Sequence, residues 1–289
     1  MKELVFIHGR SQQHLDPASL KQQWLTALKK GLAKSGRSLP ISDEQVHFPY
    51  YGDTLEQLCQ GQTPEEAAKI IVQGGIADDT ERQFAAQMVI EIGHQLGITD
   101  EEAEALLGEN VIHQGIENWP VVLGFLRAMD GIPGVNSQAI SLATHDVYQY
   151  LRQSGVNTAI NNGVMKAIQP NVETVLVGHS LGTVVAYNLL RIPDTNFRIT
   201  QFITLGSPLA ISPIKRALAP LGRPACISKW FNARDESDVV ALFPLDKDHF
   251  PPQPILNKDT VQNPPADPHS IEGYLSDDDV ASSIYAALI

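Results

Sequence analysis

Gly178-His179-Ser180-Leu181-Gly182 sets a serine between two glycines, each two places away. Thr174-Val175-Leu176-Val177 before it reads as an apolar strand, and Leu181 to Leu190 after it as an apolar helix, so Ser180 falls on a strand-to-helix turn. Glycines at the flanking positions remove side chains that would collide in so tight a turn. The helix that follows offers free N–H groups and a dipole that favour developing negative charge. A serine held this way could attack an electrophilic carbonyl, provided an imidazole of near-neutral pKa takes its proton and later returns it to the leaving group.

The elements that must position this serine alternate between strand and helix. Leu4-Val5-Phe6-Ile7, ending at His8-Gly9, is a continuous apolar run typical of a central parallel strand. Asp16 and Pro17 give an N-cap and first-turn proline for a helix with Leu20, Trp24, Leu25, Leu28 and Leu32 on one face, ending at Gly36. Val46-His47-Phe48 reads as a second strand, closed by the turn chemistry of Tyr51-Gly52-Asp53. Further strands are expected at Phe202 to Leu205, Cys226 to Phe231 and near Ile255 to Val261, and a closing helix at Asp278 to Leu288. A helix through Asp146 to Leu151, broken near Gly155, leads back to the sheet.

Between Thr63 and Ile132 the alternation stops and only helices are expected. Thr63 with Glu66 and Thr99 with Glu102 have capping-box spacing. Phe84, Met88, Val89, Ile92 and Leu96 form one apolar stripe, and Val121, Val122, Phe125, Leu126 and Met129 another. This reading divides the chain into an α/β core, residues 1–62 and 133–289, and an inserted helical cap or lid, residues 63–132.

Composition narrows the classes. The 289 residues carry a net charge of −12, which repels a phosphate backbone or an anionic membrane surface and disfavours nucleic acid as a partner. Two cysteines, Cys59 and Cys226, cannot make a disulfide framework; Cys226 heads an apolar run and is expected to be buried. No segment has the apolar length of a membrane span or the pattern of a signal peptide, so a cytoplasmic protein is expected. No ligand spacing such as H-E-x-x-H calls for a metal, and no cofactor is expected. Oligomeric state is left open.

With these elements around it, the Gly-His-Ser-Leu-Gly segment resembles the nucleophile elbow of the α/β-hydrolase superfamily, particularly its lipase and esterase branches. The resemblance covers the first fifty or so residues and the chain after about Asp146. It implies a sheet of about six mostly parallel strands with helices on both faces, two strands fewer than in larger members. His8-Gly9 resembles the oxyanion-loop His-Gly, which implies that Gly9 or Arg10 offers one backbone N–H and Leu181 the second. Leu205-Gly206-Ser207-Pro208 is similar to a segment that is structural in many lipases. Trp230-Phe231-Asn232 with Asp238-Val239-Val240 resembles the strand and acid turn, making Asp238 the acid with Asp235 as its rival. The family order of nucleophile, acid and histidine leaves His249 and His269; His269, between the last strand and the C-terminal helix, is favoured. His179 inside the elbow is expected to support the turn, and His94, His113 and His145 to lie on helix surfaces or in packing.

The implied activity is hydrolysis of a carboxylic ester, the acyl substrate being a small molecule or lipid-like and its chain length left open, through an acyl-enzyme on Ser180 with His269 as base and Asp238 orienting it. The same triad would serve an acyltransferase or thioesterase, and a hydrolase-fold interaction protein without turnover is the alternative from another class. Fold alone does not choose among them.

Overall fold

The structure is a computed structural model that describes residues 2–9, 15–53, 79–107 and 119–289. Six parallel strands form one sheet: β1 (Lys2–Ile7), β2 (Val46–His47), β3 (Glu173–His179), β4 (Arg198–Leu205), β5 (Ile227–Ala233) and β6 (Leu256–Lys258), in the spatial order β2-β1-β3-β4-β5-β6. The chain leaves β1 to one side to make β2 and returns on the other side to make β3. Connections that diverge from neighbouring strands open a crevice at the carboxyl ends of β1 and β3, the place where open parallel sheets hold their ligands.

Each strand faces two ways, and the sequence pays both faces in apolar side chains. Leu4, Phe6, Val175, Val177, Ile203 and Leu205 pack with α1 (Pro17–Lys34), α9 (Ile271–Ser276) and α10 (Asp278–Leu288). Val5, Ile7, Leu176, Phe202 and Trp230 pack on the opposite side with α5 (Ser137–Arg152), α6 (Ser154–Met165), α7 (Leu181–Leu190) and α8 (Ser212–Ala217). Leu4 to Ile7 are all wholly buried, which is why the run reads as continuous rather than alternating. Each such side chain contributes about 1.5–3 kcal/mol of burial.

The local signals work as their chemistry requires. Asp16 caps α1 by accepting from the Ser19 N–H at 2.8 Å, Pro17 fills the first turn, and Gly36 takes the left-handed φ of +67° beyond the last turn. The stripe Leu20, Trp24, Leu25, Leu28 and Leu32 is buried, with Trp24 edge-on to Phe6 at 5.2 Å. Thr99 and Glu102 make the expected capping box; Thr63 and Glu66 lie outside the described residues. The break between α5 and α6 sits at Gln153, whose extended backbone (φ −90°, ψ 105°) ends one helix and starts the next, while Gly155 lies within α6.

The described part of the helical segment consists of α2 (Asp79–Gln95), α3 (Asp100–Ala105) and α4 (Trp119–Asp130), with no strand among the described residues. Phe84, Met88, Val89 and Ile92 of the first stripe and Val122, Phe125, Leu126 and Met129 of the second are buried, and they join the same apolar cluster as α5 to α8. Glu91 of α2 reaches into the α/β part, where both carboxylate oxygens accept from the Ser212 N–H at 3.0 and 3.1 Å. Cys226 is half-buried rather than enclosed, its thiol 3.6 Å from the Leu190 carbonyl at the entrance to β5. Among the described residues no helix is long and apolar enough to cross a membrane, and no group of three histidines, cysteines or carboxylates is placed to hold a metal ion.

Candidate functional site

Ser180 sits at the end of β3 as the first residue before α7, with φ 55° and ψ −129°. A non-glycine residue is rarely found there, and the surroundings hold it. The Ser180 N–H donates to the Leu205 carbonyl at 3.1 Å, and its own carbonyl accepts from the Thr183 N–H at 2.9 Å and the Thr183 hydroxyl at 2.7 Å. The flanking glycines are needed for space: a Cβ on Gly182 would come within 2.2 Å of the Ile7 carbonyl oxygen, and one on Gly178 within 2.9 Å of the Gly182 carbonyl oxygen. The turn therefore presses against the end of β1. Gly9 lies so close that its Cβ would stand 2.8 Å from Ser180 Cβ and 3.3 Å from Oγ.

His8 fixes the loop that carries Gly9. Its Nδ1–H donates to the Gly9 carbonyl at 2.7 Å, while Nε2 accepts from the Tyr51 N–H at 3.0 Å and the Tyr51 hydroxyl donates to the His8 carbonyl. One nitrogen donates and the other accepts, so the ring is a neutral imidazole with both positions used. Burial pushes its pKa down to about 4, against a smaller upward pull from the Gly9 carbonyl. Arg10 lies outside the described residues.

The structure brings Asp238 and His269 together across two loops. His269 Nδ1–H donates to Asp238 Oδ2 at 2.7 Å, and the carboxylate is wholly buried. Tyr274 of α9 donates its hydroxyl to the same oxygen at 2.7 Å, the Val240 N–H donates to Oδ1 at 2.9 Å, and the Asp235 N–H donates to the Tyr274 oxygen at 3.0 Å. Burial alone would raise the Asp238 pKa; the His269 ring and the donors from His269, Tyr274 and Val240 outweigh it and hold the carboxyl below its ordinary value. With the proton on Nδ1, His269 presents a lone pair on Nε2, an atom that is buried and has no hydrogen-bond partner.

Asp235, the rival acid, has both oxygens committed to backbone, accepting from Ser237 N–H at 2.8 Å and Asn263 N–H at 2.6 Å. It shapes the loop instead of meeting His269. His249 pairs with Asp246 at 2.7 Å and stacks on Phe243 at 5.1 Å, and it is not among the residues lining the Ser180 cavity. His179, within the turn, donates through Nε2 to the His269 carbonyl at 3.0 Å, its ring 4.5 Å from that of His269. Burial first, and then the neighbouring His269, push its pKa well down, so it is a neutral strut. His145 is buried against Glu81 at 2.7 Å and His94 is exposed against Asp100 at 2.9 Å; His113 lies outside the described residues.

Two contributors escaped the sequence reading. Gly206, in the segment given only a structural place, has φ +55°, and a Cβ there would come within 3.0 to 3.1 Å of His269 Cε1, Asp238 Oδ2 and His269 Nδ1. Its neighbour Ser207 bonds Thr183 Oγ1 at 2.8 Å, tying this loop to the Ser180 turn. Tyr274 is the other: an amphipathic-helix tyrosine gives no signal that its hydroxyl serves a carboxylate 36 residues earlier.

Ser180, Asp238 and His269 line one cavity of about 600 Å³ at the carboxyl ends of β1 and β3, with Gly9, His179, Gln23, Asn136 and Glu272 also on its walls. Ser180 and Leu181 also border a separate apolar slot of about 20 Å³ between α2 and α5.

Residues 141–220, from α5 through the Ser180 turn to the end of α8, match the model of a family described as the PGAP1-like alpha/beta domain, which is of α/β-hydrolase type. Comparisons with curated proteins and with solved structures give no match. The partial family match and the parallel sheet fit the α/β-hydrolase superfamily, and the architecture is that of its fold. The matched stretch contains Ser180, Leu181 and Gly206 and stops before Asp238 and His269.

Proposed function

We propose that the protein is a serine-dependent carboxylic-ester hydrolase that works through an acyl-enzyme on Ser180. The observation that carries this reading is the state of His269: its Nδ1–H is spent on a buried carboxylate, and its Nε2 is unpartnered on a ring that lines the same cavity as Ser180. A histidine so arranged is a base waiting for a proton, and of the hydroxyls on that cavity's wall the Ser180 hydroxyl is the one held in a strained turn between β3 and α7.

In the mechanism, Nε2 takes the Ser180 proton as Oγ bonds to the ester carbon, and the carbonyl electron pair moves to oxygen. Leu181, the first residue of α7, offers its N–H to that oxyanion at the positive end of the helix dipole. Gly9 or Arg10 supplies the second donor, and His8 steadies the Gly9 peptide through the bond to its carbonyl. Asp238 keeps the imidazole in the Nδ1–H tautomer and stabilises the imidazolium that forms. Collapse of the tetrahedral intermediate expels the alcohol, protonated by His269. A water deprotonated by the same Nε2 then cleaves the acyl-enzyme and releases the acid. No step uses a metal or cofactor.

Residues 63–132 are read as a cap over this site, because Met88 and Ile92 of α2 border the slot beside Ser180. The substrate is a small-molecule or lipid-like acyl ester on this reading.

The test is intact mass after treatment with a fluorophosphonate probe, comparing wild type with folded Ser180→Ala, His269→Ala and His249→Ala. One adduct per chain, absent in Ser180→Ala, strongly slowed in His269→Ala and unchanged in His249→Ala, is the expected result. A folded wild type that takes no adduct would remove the hydrolase reading and leave an interaction protein on a hydrolase fold.

A further inference from the structure

Ser180 stands on the boundary between two spaces of very different size, and the direction of proton transfer decides what each can hold. We infer that the substrate is a short-chain ester, of about two or three acyl carbons, of a bulky polar alcohol. The acyl chain enters the apolar slot and the alcohol occupies the large cavity. This inference rests on the hydrolase reading above.

The argument begins with His269. The imidazolium must hand its proton to the leaving alcohol, so the alcohol lies on the His269 side of Ser180. His269 lines the cavity of about 600 Å³ and not the slot. The carbonyl oxygen is committed to the Leu181 N–H, and Leu181 borders the slot. With the oxygen and the leaving group assigned, the remaining substituent of the carbonyl carbon, the acyl chain, takes the slot side.

The slot measures about 20 Å³. On this measure a single water needs about 10–15 Å³, so the space beyond the carbonyl takes one or two carbon groups without displacement of its walls. Those walls are Met88, Ile92, Val147 and Ile211, well-packed side chains of the main apolar cluster that resist displacement. A long acyl chain has no room there.

The other space shares Ile140, Ala143, Val239 and Val240 with the slot but adds polar side chains to its wall. Gln23, Asn136, Ser237, Asp267, Ser270 and Glu272 give it hydrogen-bonding groups and acidic character. It adjoins a second basin of about 1050 Å³ between α1 and the loop after β6, with Gln23, Ser237, Ser270 and Glu272 common to both. An alcohol many times larger than the acyl group has room there; in the cavity beside Ser180 an anionic carrier meets Asp267 and Glu272, and Lys30 is the cation on the outer basin's described wall.

The experiment measures kcat/KM on p-nitrophenyl acetate, propionate, octanoate and dodecanoate, with a peracetylated disaccharide and acetyl-coenzyme A as the polar and anionic acetyl donors. The expected profile is highest for acetate or propionate, at least tenfold lower at octanoate, with the disaccharide deacetylated and acetyl-coenzyme A poorly used. Met88→Ala, and the milder Ile211→Val should that variant fold badly, should move the optimum toward longer chains. A wild type that labels with fluorophosphonate at Ser180 yet prefers octanoate or dodecanoate overturns the inference and leaves the hydrolase reading standing. Labelling without turnover of any short ester overturns it as well. No labelling and no ester turnover together defeat the hydrolase reading itself.

Discussion

Ser180 has a wall of loops on one side and a wall of helices on the other, and the two treat their polar atoms in opposite ways. In the loop wall, donors run in series from the Asp235 N–H to the Tyr274 hydroxyl to Asp238, and from His269 to the same carboxylate, while Asp235 itself is met by Ser237 and Asn263. In the helical wall, Ser141 Oγ, Thr144 Oγ1 and His145 Nε2 of α5 and Trp119 Nε1 of α4 are buried with no partner among the described residues. The carboxylate network of the loop wall is bonded around Asp238, leaving His269 Nε2 and Asn263 Oδ1 as its unmet buried atoms, whereas buried polar atoms left unmet in the helical wall each cost about 1–3 kcal/mol and stay only where packing outweighs them. On the proposed reading the loop wall serves the chemistry and the helical wall the shape of the site.

Removing the reacting atoms is the most severe way to break the loop wall. Ser180→Ala should lower ester kcat by a factor on the order of 10⁶, and Asp238→Asn by roughly 10⁴, because the amide no longer selects the Nδ1–H tautomer of His269. Single-turnover kinetics with circular dichroism as a folding control would read both. If Asp235→Asn proved as damaging to kcat as Asp238→Asn, the two aspartates would have to exchange roles.

Gly206→Ala tests the same wall by crowding. The added Cβ would come within 3.0 to 3.1 Å of both His269 and Asp238, and φ of +55° is strained for alanine. Displacing a catalytic pair by an ångström costs on the order of 10² in rate, so kcat should fall about a hundredfold while fluorophosphonate labelling slows in parallel. A KM change at constant kcat would instead mean that Gly206 touches only substrate.

Acidity loads the two ends of the site in one direction. His8 is buried with a pKa near 4, against 6.5 for the free ring, so below pH 6.5 the unfolded chain binds a proton that the folded one refuses. Stability from this group is complete above pH 6.5 and declines as pH falls toward 4, by roughly 3 kcal/mol in all. His179 acts with the same sign. Urea unfolding between pH 7.5 and 4.5 should show the decline, and His8→Gln should flatten it even if the variant starts less stable.

Tyr274→Phe separates positioning from packing. The ring stays, but Asp238 loses one donor and the Asp235 N–H loses its acceptor, a cost of about 1–3 kcal/mol in stability. A carboxylate with one donor fewer has a higher pKa, so the contribution of its depressed pKa is lost at a higher pH as acid is added. The acid limb of the kcat profile should move upward with it. A tyrosine serving only as filler would leave that limb where it was.

Much of this arrangement was legible in the sequence, for identifiable reasons. Leu4 to Ile7 and Thr174 to Val177 read as strands because burial on both faces leaves no polar interruptions, and Asp16, Pro17 and Gly36 punctuate α1 by backbone chemistry alone. Gly178 and Gly182 could be read because the close approach they permit has one residue type as its solution. The pairing of Asp238 with His269 was reached through resemblance, since 31 residues of loop and edge strand separate them and no local pattern specifies the contact. Tyr274 and Gly206 were missed for the same reason: one looks like an ordinary helix residue and the other like an ordinary turn, and only the folded chain sets them against the His269–Asp238 pair. The break at Gln153 rather than Gly155 shows a limit of a different kind. A helix can be interrupted by an extended residue of any type, and glycine marks only places where a side chain would not fit.

The mildest prediction has the opposite sign. Thr144 is wholly enclosed on α5, borders the slot, and its hydroxyl meets nothing. Valine has nearly the same shape and helix propensity, so Thr144→Val exchanges an unmet hydroxyl for a methyl at no cost in volume. The variant should be more stable, by up to about 1 kcal/mol, where Tyr274→Phe is less stable. A clear loss of stability on Thr144→Val would mean that the hydroxyl has a partner. A gain would mark the slot as a surface whose polarity the fold does not need, leaving its shape as the property that selects the acyl group.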